Sequence, residues 1–274
     1  MRVALISQIP QAVEGYTNGL RALGHDPVGL LCVRRASRYG LDTGAHVMAA
    51  PAEMDIVMPS ARDRIAPLLR SLEPDLVMCL GFPWKIPPDA LAVPPLGVVN
   101  SHPSLLPRYR GPIPVGWAIR NGEKEVGITF HRMAPELDAG PILAQTPLEL
   151  ADEWSWDELG PRLAGAVGQL LPTVLERVER GDPGDPQDEA AAEYQSFFEP
   201  EFAEIDWSRP AIEIVRQVRA WRFGFSLDAE AGALTELDGE RVRVLRAAVD
   251  GPGGRPVESG DGTVWILETE LLSS

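Results

Sequence analysis

Apolar residues fall into two kinds of run along this chain. Short unbroken runs stand at Arg2–Ser7 (RVALIS), Val28–Val33, Asp75–Leu80 (DLVMCL) and Leu96–Asn100 (LGVVN). Runs of this kind belong to strands buried on both faces of a parallel sheet. Between the first two, Gln11–Gly24 carries apolar residues at helical spacing and stops at a glycine suited to a helix end. Strand, helix and strand within about 30 residues make a βαβ unit, which implies a parallel sheet with crossover helices. Further on, Ile65–Leu72 (IAPLLRSL) and Pro112–Asn121 read as helices, and Val126–Met133 and Ile142–Leu150 as two more strands. Ser155–Arg180 is a long helical stretch. It ends at Gly181–Gln187 (GDPGDPQ), which is dense in breakers and marks the best domain boundary. Ala211–Trp221 then predicts a helix, and Ala233–Thr269 short strands broken by glycine clusters. The expected architecture is a doubly wound α/β domain with a mostly parallel sheet over residues 1–180. An acidic linker over 181–205 and a small β-rich domain over 206–274 would follow it.

Charge narrows the partners. The chain holds 25 Lys and Arg against 40 Asp and Glu, a net of −15. Broad binding to nucleic acid or to an anionic membrane needs basic patches, so this balance argues against both. Residues 149–206 alone contain 16 acidic and 3 basic side chains, which we read as a solvated acidic face. The two cysteines, Cys32 and Cys79, lie in strand-like runs and read as buried thiols, with neither disulfide nor zinc spacing. The opening MRVALISQIP is broken by proline too soon for a signal peptide, and no apolar run reaches the roughly 20 residues of a membrane span. A soluble cytoplasmic protein is expected.

Several common signatures are missing. The first strand leads into Ser7-Gln8-Ile9-Pro10 with no GxGxxG, and there is no P-loop or GxSxG elbow. Of the four histidines, His25 sits in a turn and is expected to face solvent, and His46 lies in an irregular segment. His131 falls on an apolar strand, where a hydrogen-bonded structural histidine is the better reading. No pair has metal-ligand spacing, so no metal site is expected.

His102 is different. It stands in Asn100-Ser101-His102-Pro103-Ser104-Leu105-Leu106-Pro107-Arg108-Tyr109-Arg110-Gly111, at the carboxyl end of a strand, where α/β folds place ligands. Asn100 and His102 are two residues apart and project to the same side. Two prolines stiffen the loop that follows. An amide and an imidazole so placed can donate to a developing oxyanion and manage one proton, although a capped turn with a satisfied histidine accounts for them equally well. Asp138, in the loop Glu136-Leu137-Asp138-Ala139-Gly140-Pro141, tips the balance, because a carboxylate beside an imidazole orients it and favours its cation. The trio contains no Ser or Cys nucleophile. The attacking group would therefore come from a substrate, in direct transfer between two bound molecules.

The block Asn100–Gly111, with Pro114, Trp117-Ala118-Ile119, Gly127-Ile128-Thr129-Phe130-His131 and Asp138-Ala139-Gly140-Pro141-Ile142, closely resembles the formyltransferases that use N10-formyltetrahydrofolate. That family includes methionyl-tRNA formyltransferase, sugar N-formyltransferases and glycinamide ribonucleotide transformylase. The resemblance is strong over about residues 75–150 and looser over the N-terminal βαβ unit. Ile205-Asp206-Trp207-Ser208 also resembles the junction to the C-terminal domain of the methionyl-tRNA enzyme. The resemblance implies that Asn100, His102 and Asp138 form the catalytic set. An acceptor amine would attack the formyl carbon while Asn100 and protonated His102 stabilise the oxyanion. It also implies a folate pocket from Phe82, Trp84, Lys85 and Ile86, with Leu105, Pro107, Arg110, Gly111, Glu136 and Asp138 around it.

The chain departs from the methionyl-tRNA enzyme in one respect. That enzyme carries a basic, glycine-rich insertion after the second strand, and the corresponding Arg34–Asp42 is basic but does not match it. Residues 206–246 balance seven Arg with seven Asp and Glu, a poor platform for tRNA phosphates. With the overall acidity, this favours a small-molecule amine such as an amino sugar nucleotide or a natural-product intermediate, with methionyl-tRNA as the alternative acceptor. A formyltetrahydrofolate hydrolase or a silent folate-binding protein ranks below both. The hydrolases place a small domain ahead of the catalytic one, whereas this chain opens on its first strand. The C-terminal part reads as a reduced OB-like barrel, a dimerisation element or a cover over the acceptor.

Overall fold

A computed structural model describes residues 1–33, 47, 49–152, 154–224, 232–251 and 253–272. Arg34–Asp42, with its three arginines, and His46 lie outside the described residues. The chain divides into two compact units. The first comprises Met1–Arg110, Gly127–Leu148 and Gly160–Glu193; the second comprises Gly111–Val126, Glu149–Leu159 and Tyr194–Ser274. The stretch expected as a linker, 181–205, is thus divided between them at Glu193.

A seven-stranded sheet organises the first unit. Its strands are β1 (Arg2–Ser7), β2 (Asp26–Leu31), β3 (Asp55–Val57), β4 (Leu76–Leu80), β5 (Val98–His102), β6 (Glu125–Arg132) and β7 (Ile142–Glu149), in the order β3-β2-β1-β4-β5-β6-β7. Pairing is parallel from β3 through β5, and β5 pairs with β6 antiparallel. A doubly wound, mostly parallel sheet is therefore what the chain forms. Only the three-residue β3 is too short to have left a pattern in the sequence. Helix α1 (Pro10–Ala22) buries Val13, Tyr16, Thr17 and Leu20, one stripe at helical spacing. It ends at Gly24, whose φ of 78° lets its own N–H reach the Arg21 carbonyl and that of His25 reach the Leu20 carbonyl. His25 is not solvent-facing as expected; its side chain is 9% exposed, with Nδ1 3.8 Å from Glu179. Helix α2 (Ile65–Leu72) packs Ile65, Ala66, Leu69 and Leu72 into a core with Ala4, Ile6, Val77, Cys79 and Val98. A single turn, α3 (Pro88–Leu91), adds Ala90 to it.

In the second unit, α4 (Pro114–Arg120) packs on α6 (Ala211–Ala220). A four-stranded antiparallel sheet of β8 (Ala233–Leu237), β9 (Glu240–Ala248), β10 (Arg255–Glu258) and β11 (Thr263–Leu271) runs in the order β10-β11-β9-β8. Among the described residues that is one strand fewer than an OB barrel has. Phe198, buried at 2%, gathers Trp117, Phe202 and Trp221 at ring-centroid distances of 5.4, 4.8 and 5.2 Å. The long helix α5 (Trp156–Glu179) contributes residues to both units. Among the described residues, no helix is long and apolar enough to cross a membrane, and no cluster of His, Cys, Asp or Glu is placed to hold a metal ion.

Candidate active site

Sheet register makes the site. Leu31, Ile6, Cys79, Asn100 and His131 stand in one row across β2, β1, β4, β5 and β6. Residues in register share a face, so the row is apolar at one end and polar at the other. On the opposite face, Tyr16 of α1 donates to Ser101 Oγ at 2.7 Å and meets Phe130 edge-on. Desolvation by burial pushes the Tyr16 phenol up, so this bond is a fixed prop behind the strand.

Asp138 reaches the polar end of the row from the loop between β6 and β7. Its Oδ1 lies 3.8 Å from His102 Nδ1 and 3.6 Å from His131 Nε2. The two imidazoles stand nearly perpendicular, with centroids 6.4 Å apart. Asn100, His102 and Asp138, picked out from sequence, are thus brought together, and His131 joins them. The sequence reading took His131 as structural. What makes it part of the cluster is its register opposite Asn100, which depends on an antiparallel pairing no local pattern reveals.

The hydrogen bonds set each tautomer. His131 Nδ1 lies 3.0 Å from the Arg132 carbonyl, which can only accept, so Nδ1 carries the proton. Its Nε2 then accepts from Asn100 Nδ2 at 3.1 Å, which orients the Asn100 amide. Burial lowers the His131 pKa to about 4, against the pull of Asp138, so the ring is neutral near pH 7. His102 Nε2 donates to the Tyr109 carbonyl at 2.9 Å, which leaves Nδ1, facing Asp138, as the position where a proton can change hands. Tyr109 has a φ of 57°, a left-handed conformation that belongs to the turn presenting this carbonyl.

The loop carrying these groups is tightly tied. Thr129 Oγ1 donates to the Ser104 carbonyl at 2.7 Å and accepts from Leu106 N, while Gln145 Nε2 donates to Thr129 Oγ1 and the Leu106 carbonyl. Leu105 lies where a Cβ on Gly127 would stand, so the glycine admits it. Of the other residues expected around a folate, Phe82 and Trp84 are half-buried, edge to face at 6.0 Å, and packed against the cluster that contains Ile6 and Cys79. Ile86 is buried in that cluster, Lys85 is exposed and Glu136 is exposed in its turn. Pro107 and Arg110 are occupied elsewhere: the Pro107 carbonyl accepts from Glu193 N, and Arg110 N donates to the Glu193 carbonyl. The guanidinium of Arg110, a residue 7% exposed, is turned onto Gln187 and Glu189. Gly111 falls in the second unit, where the Gln195 carbonyl occupies the space of a Cβ.

Neutral burial of His131 has a consequence for stability. Above pH 6.5 the ring is neutral both folded and unfolded. Between pH 6.5 and about 4 the unfolded chain takes up a proton that the folded one refuses, so acidification costs stability until about pH 4. Relative to His131→Gln, the wild type should lose about 2 kcal/mol between pH 7.5 and pH 5. Urea unfolding at both values checks this, and parallel pH dependences for the two proteins would contradict it.

Comparison with known proteins bears on the family and the fold. A formyl transferase family model matches residues 37–175, and a model of the formyl transferase C-terminal domain matches residues 198–272. The methionyl-tRNA formyltransferase of Chloroflexus aurantiacus is 35% identical over 295 aligned residues, which cover all of this chain and 93% of that protein. Among solved structures, HypX from Aquifex aeolicus in complex with tetrahydrofolic acid superposes with a TM-score of 0.73 at 20% identity, over all of this chain and 44% of its own. The sugar 3N-formyl transferase WlaRD gives 0.66 at 16% identity, over all of this chain and 98% of its own. At those identities the two structures speak for the fold alone. The two domain models and the full-length relative carry the assignment: this chain belongs to the formyl transferase family, enzymes that transfer formyl groups.

Proposed function

We propose that the chain transfers the formyl group of N10-formyltetrahydrofolate to the primary amine of an acceptor by direct attack, without a covalent enzyme intermediate. The observation that carries this is the convergence of His102, His131 and Asn100 with Asp138. The donor supplies the activated formyl group. Its flat pterin suits the half-buried aromatic wall of Phe82 and Trp84, which packs on the apolar part of the sheet row around Ile6 and Cys79. Asn100, held by His131, keeps its remaining amide N–H for the charge that develops on the formyl oxygen. His102 Nδ1 takes the proton released by the attacking amine, and Asp138 stabilises the cation so formed. The tetrahedral adduct collapses by breaking the bond from the formyl carbon to N10 as His102 returns that proton to N10, which releases tetrahydrofolate. Enzyme nucleophiles close by are spoken for. Burial, with help from Asp138, pushes the Cys79 thiol up to about 12; Ser101 Oγ accepts from Tyr16; Ser104 Oγ donates to the Arg108 carbonyl.

For the acceptor, similarity along 93% of a methionyl-tRNA formyltransferase, together with the match to the C-terminal domain model, supports the methionyl amine of a charged tRNA. This reverses the preference that charge alone suggests. A small-molecule amine is the second reading, favoured by the net charge of −15 and the excess of acidic residues over 149–206, since tRNA affinity comes largely from neutralised phosphates. Release of tetrahydrofolate from N10-formyltetrahydrofolate, with methionyl-tRNA, amino sugar nucleotides or no acceptor, separates the readings. We expect turnover with methionyl-tRNA. Turnover with a small amine alone would establish the second reading, turnover with water alone would make the protein a hydrolase, and folate binding without turnover would refute transfer. Arg34, Arg35 and Arg38 changed together to Ala should cause a salt-sensitive loss of acceptor binding if the acceptor is tRNA, and little change if it is a small uncharged amine.

A further inference from the structure

We propose that Gln187, within the proline- and glycine-rich stretch after α5, is a positioning residue that holds Asp138 against the two histidines. Gln187 Nε2 donates to the carbonyls of Asp138 and Gly140, both at 2.7 Å, and so spans the turn that carries the carboxylate. The orientation of this amide follows from its surroundings. Its Oε1 faces Arg110, accepting from Nη2 at 2.8 Å and Nε at 3.1 Å, and a guanidinium offers only donors. The NH2 group must therefore face the loop. Arg110 is fixed in turn by Glu189, with Nη2–Oε1 at 2.7 Å and Nη1–Oε2 at 3.1 Å.

The turn needs such a clamp. Asp138 has a φ of 54°, a left-handed conformation unfavourable for a side chain with a Cβ, and Gly140 lies so close to the Arg132 carbonyl that any Cβ would collide with it. The stretch bearing Gln187 is itself anchored. Ile142 and Asp185 exchange backbone hydrogen bonds at 2.8 Å, Arg132 donates to the Asp182 carbonyl, and Glu193 pairs with Pro107 and Arg110. A segment that reads as a spacer thus forms the far wall of the loop carrying Asp138. Arg110, expected to touch folate, is in contact with Gln187.

This inference rests on the reading of Asp138 as a member of the catalytic set, and the experiment keeps the two apart. Gln187→Glu retains the volume and the contact with Arg110 but turns a carboxylate oxygen onto the two loop carbonyls in place of the donors; Gln187→Ala removes both contacts. In the full-length protein, each should lower kcat for formyl transfer on the order of 10²-fold, since displacements near 1 Å at reacting groups have that effect. KM for N10-formyltetrahydrofolate should stay close to wild type in both variants, and thermal melts check that each remains folded. The imidazole proton resonances give a readout that does not need turnover. In both variants the NMR titration of His131, which Asp138 raises against burial, should shift, while that of His25, which faces Glu179, stays in place. Unchanged kcat, or a fall in kcat with all histidine titrations unmoved, would overturn the positioning role. A wild type that transfers formyl to no acceptor would refute the proposed function, and the titrations would still decide whether Gln187 holds Asp138.

Discussion

His102→Ala should lower kcat for formyl transfer by about 10²–10⁴-fold, the range that a positioned acid or base contributes. The imidazole has one nitrogen committed to the Tyr109 carbonyl and the other facing Asp138, so Nδ1 is the position on this ring at which the amine loses its proton. Asp138→Asn should give a loss in the same range, because it keeps the shape of the side chain and removes the charge that stabilises the imidazolium. KM for the folate donor should move little in either case, since neither group is needed for an aromatic wall built from Phe82 and Trp84. Steady-state kinetics beside circular dichroism and thermal melts would check this. A folded His102→Ala protein with near-normal turnover would refute the proposed proton path.

Asn100→Ala should cost about 10²–10³-fold in kcat, the usual loss on removing one oxyanion donor. The substitution should leave the sheet intact, because the backbone pairing of Asn100 with Cys79 and His131 does not involve the side chain. Asn100→Asp should be at least as damaging, as it replaces an N–H facing His131 Nε2 with an acceptor and adds a second carboxylate near Asp138. His131→Gln should cause a smaller loss, by releasing the amide rather than removing it. If Asn100→Ala and Asn100→Asp both kept wild-type kcat, the oxyanion role assigned to this amide would be wrong.

Most elements of the fold were legible along the chain for a simple reason. A parallel sheet buried on both faces demands unbroken apolar strands, and β1, β2, β4 and β5 carry them within a few residues of their expected limits. The stripe of α2 matches its sequence limits at Ile65 and Leu72. Asn100, His102 and Asp138 were legible as well, because each sits in a loop or strand end whose prolines and glycines set it apart. His131 and Gln187 were not. The first looks like any histidine on an apolar strand, and the second lies in a stretch whose composition signals only a break in the helix.

The amino-acid order by itself determined the class of fold, the identity of the polar groups at the strand end and the family resemblance, since these depend on local pattern and motif. Tertiary structure alone decided what those groups do to one another. Antiparallel pairing of β5 with β6 puts His131 opposite Asn100, the left-handed turn at Tyr109 commits one nitrogen of His102, and the stretch after α5 returns to clamp the Asp138 loop. Register, tautomer and clamp join residues 31, 7 and 49 positions apart in the chain. Two of those separations lie beyond the reach of any local propensity, and the third is set by the single carbonyl that a folded turn presents.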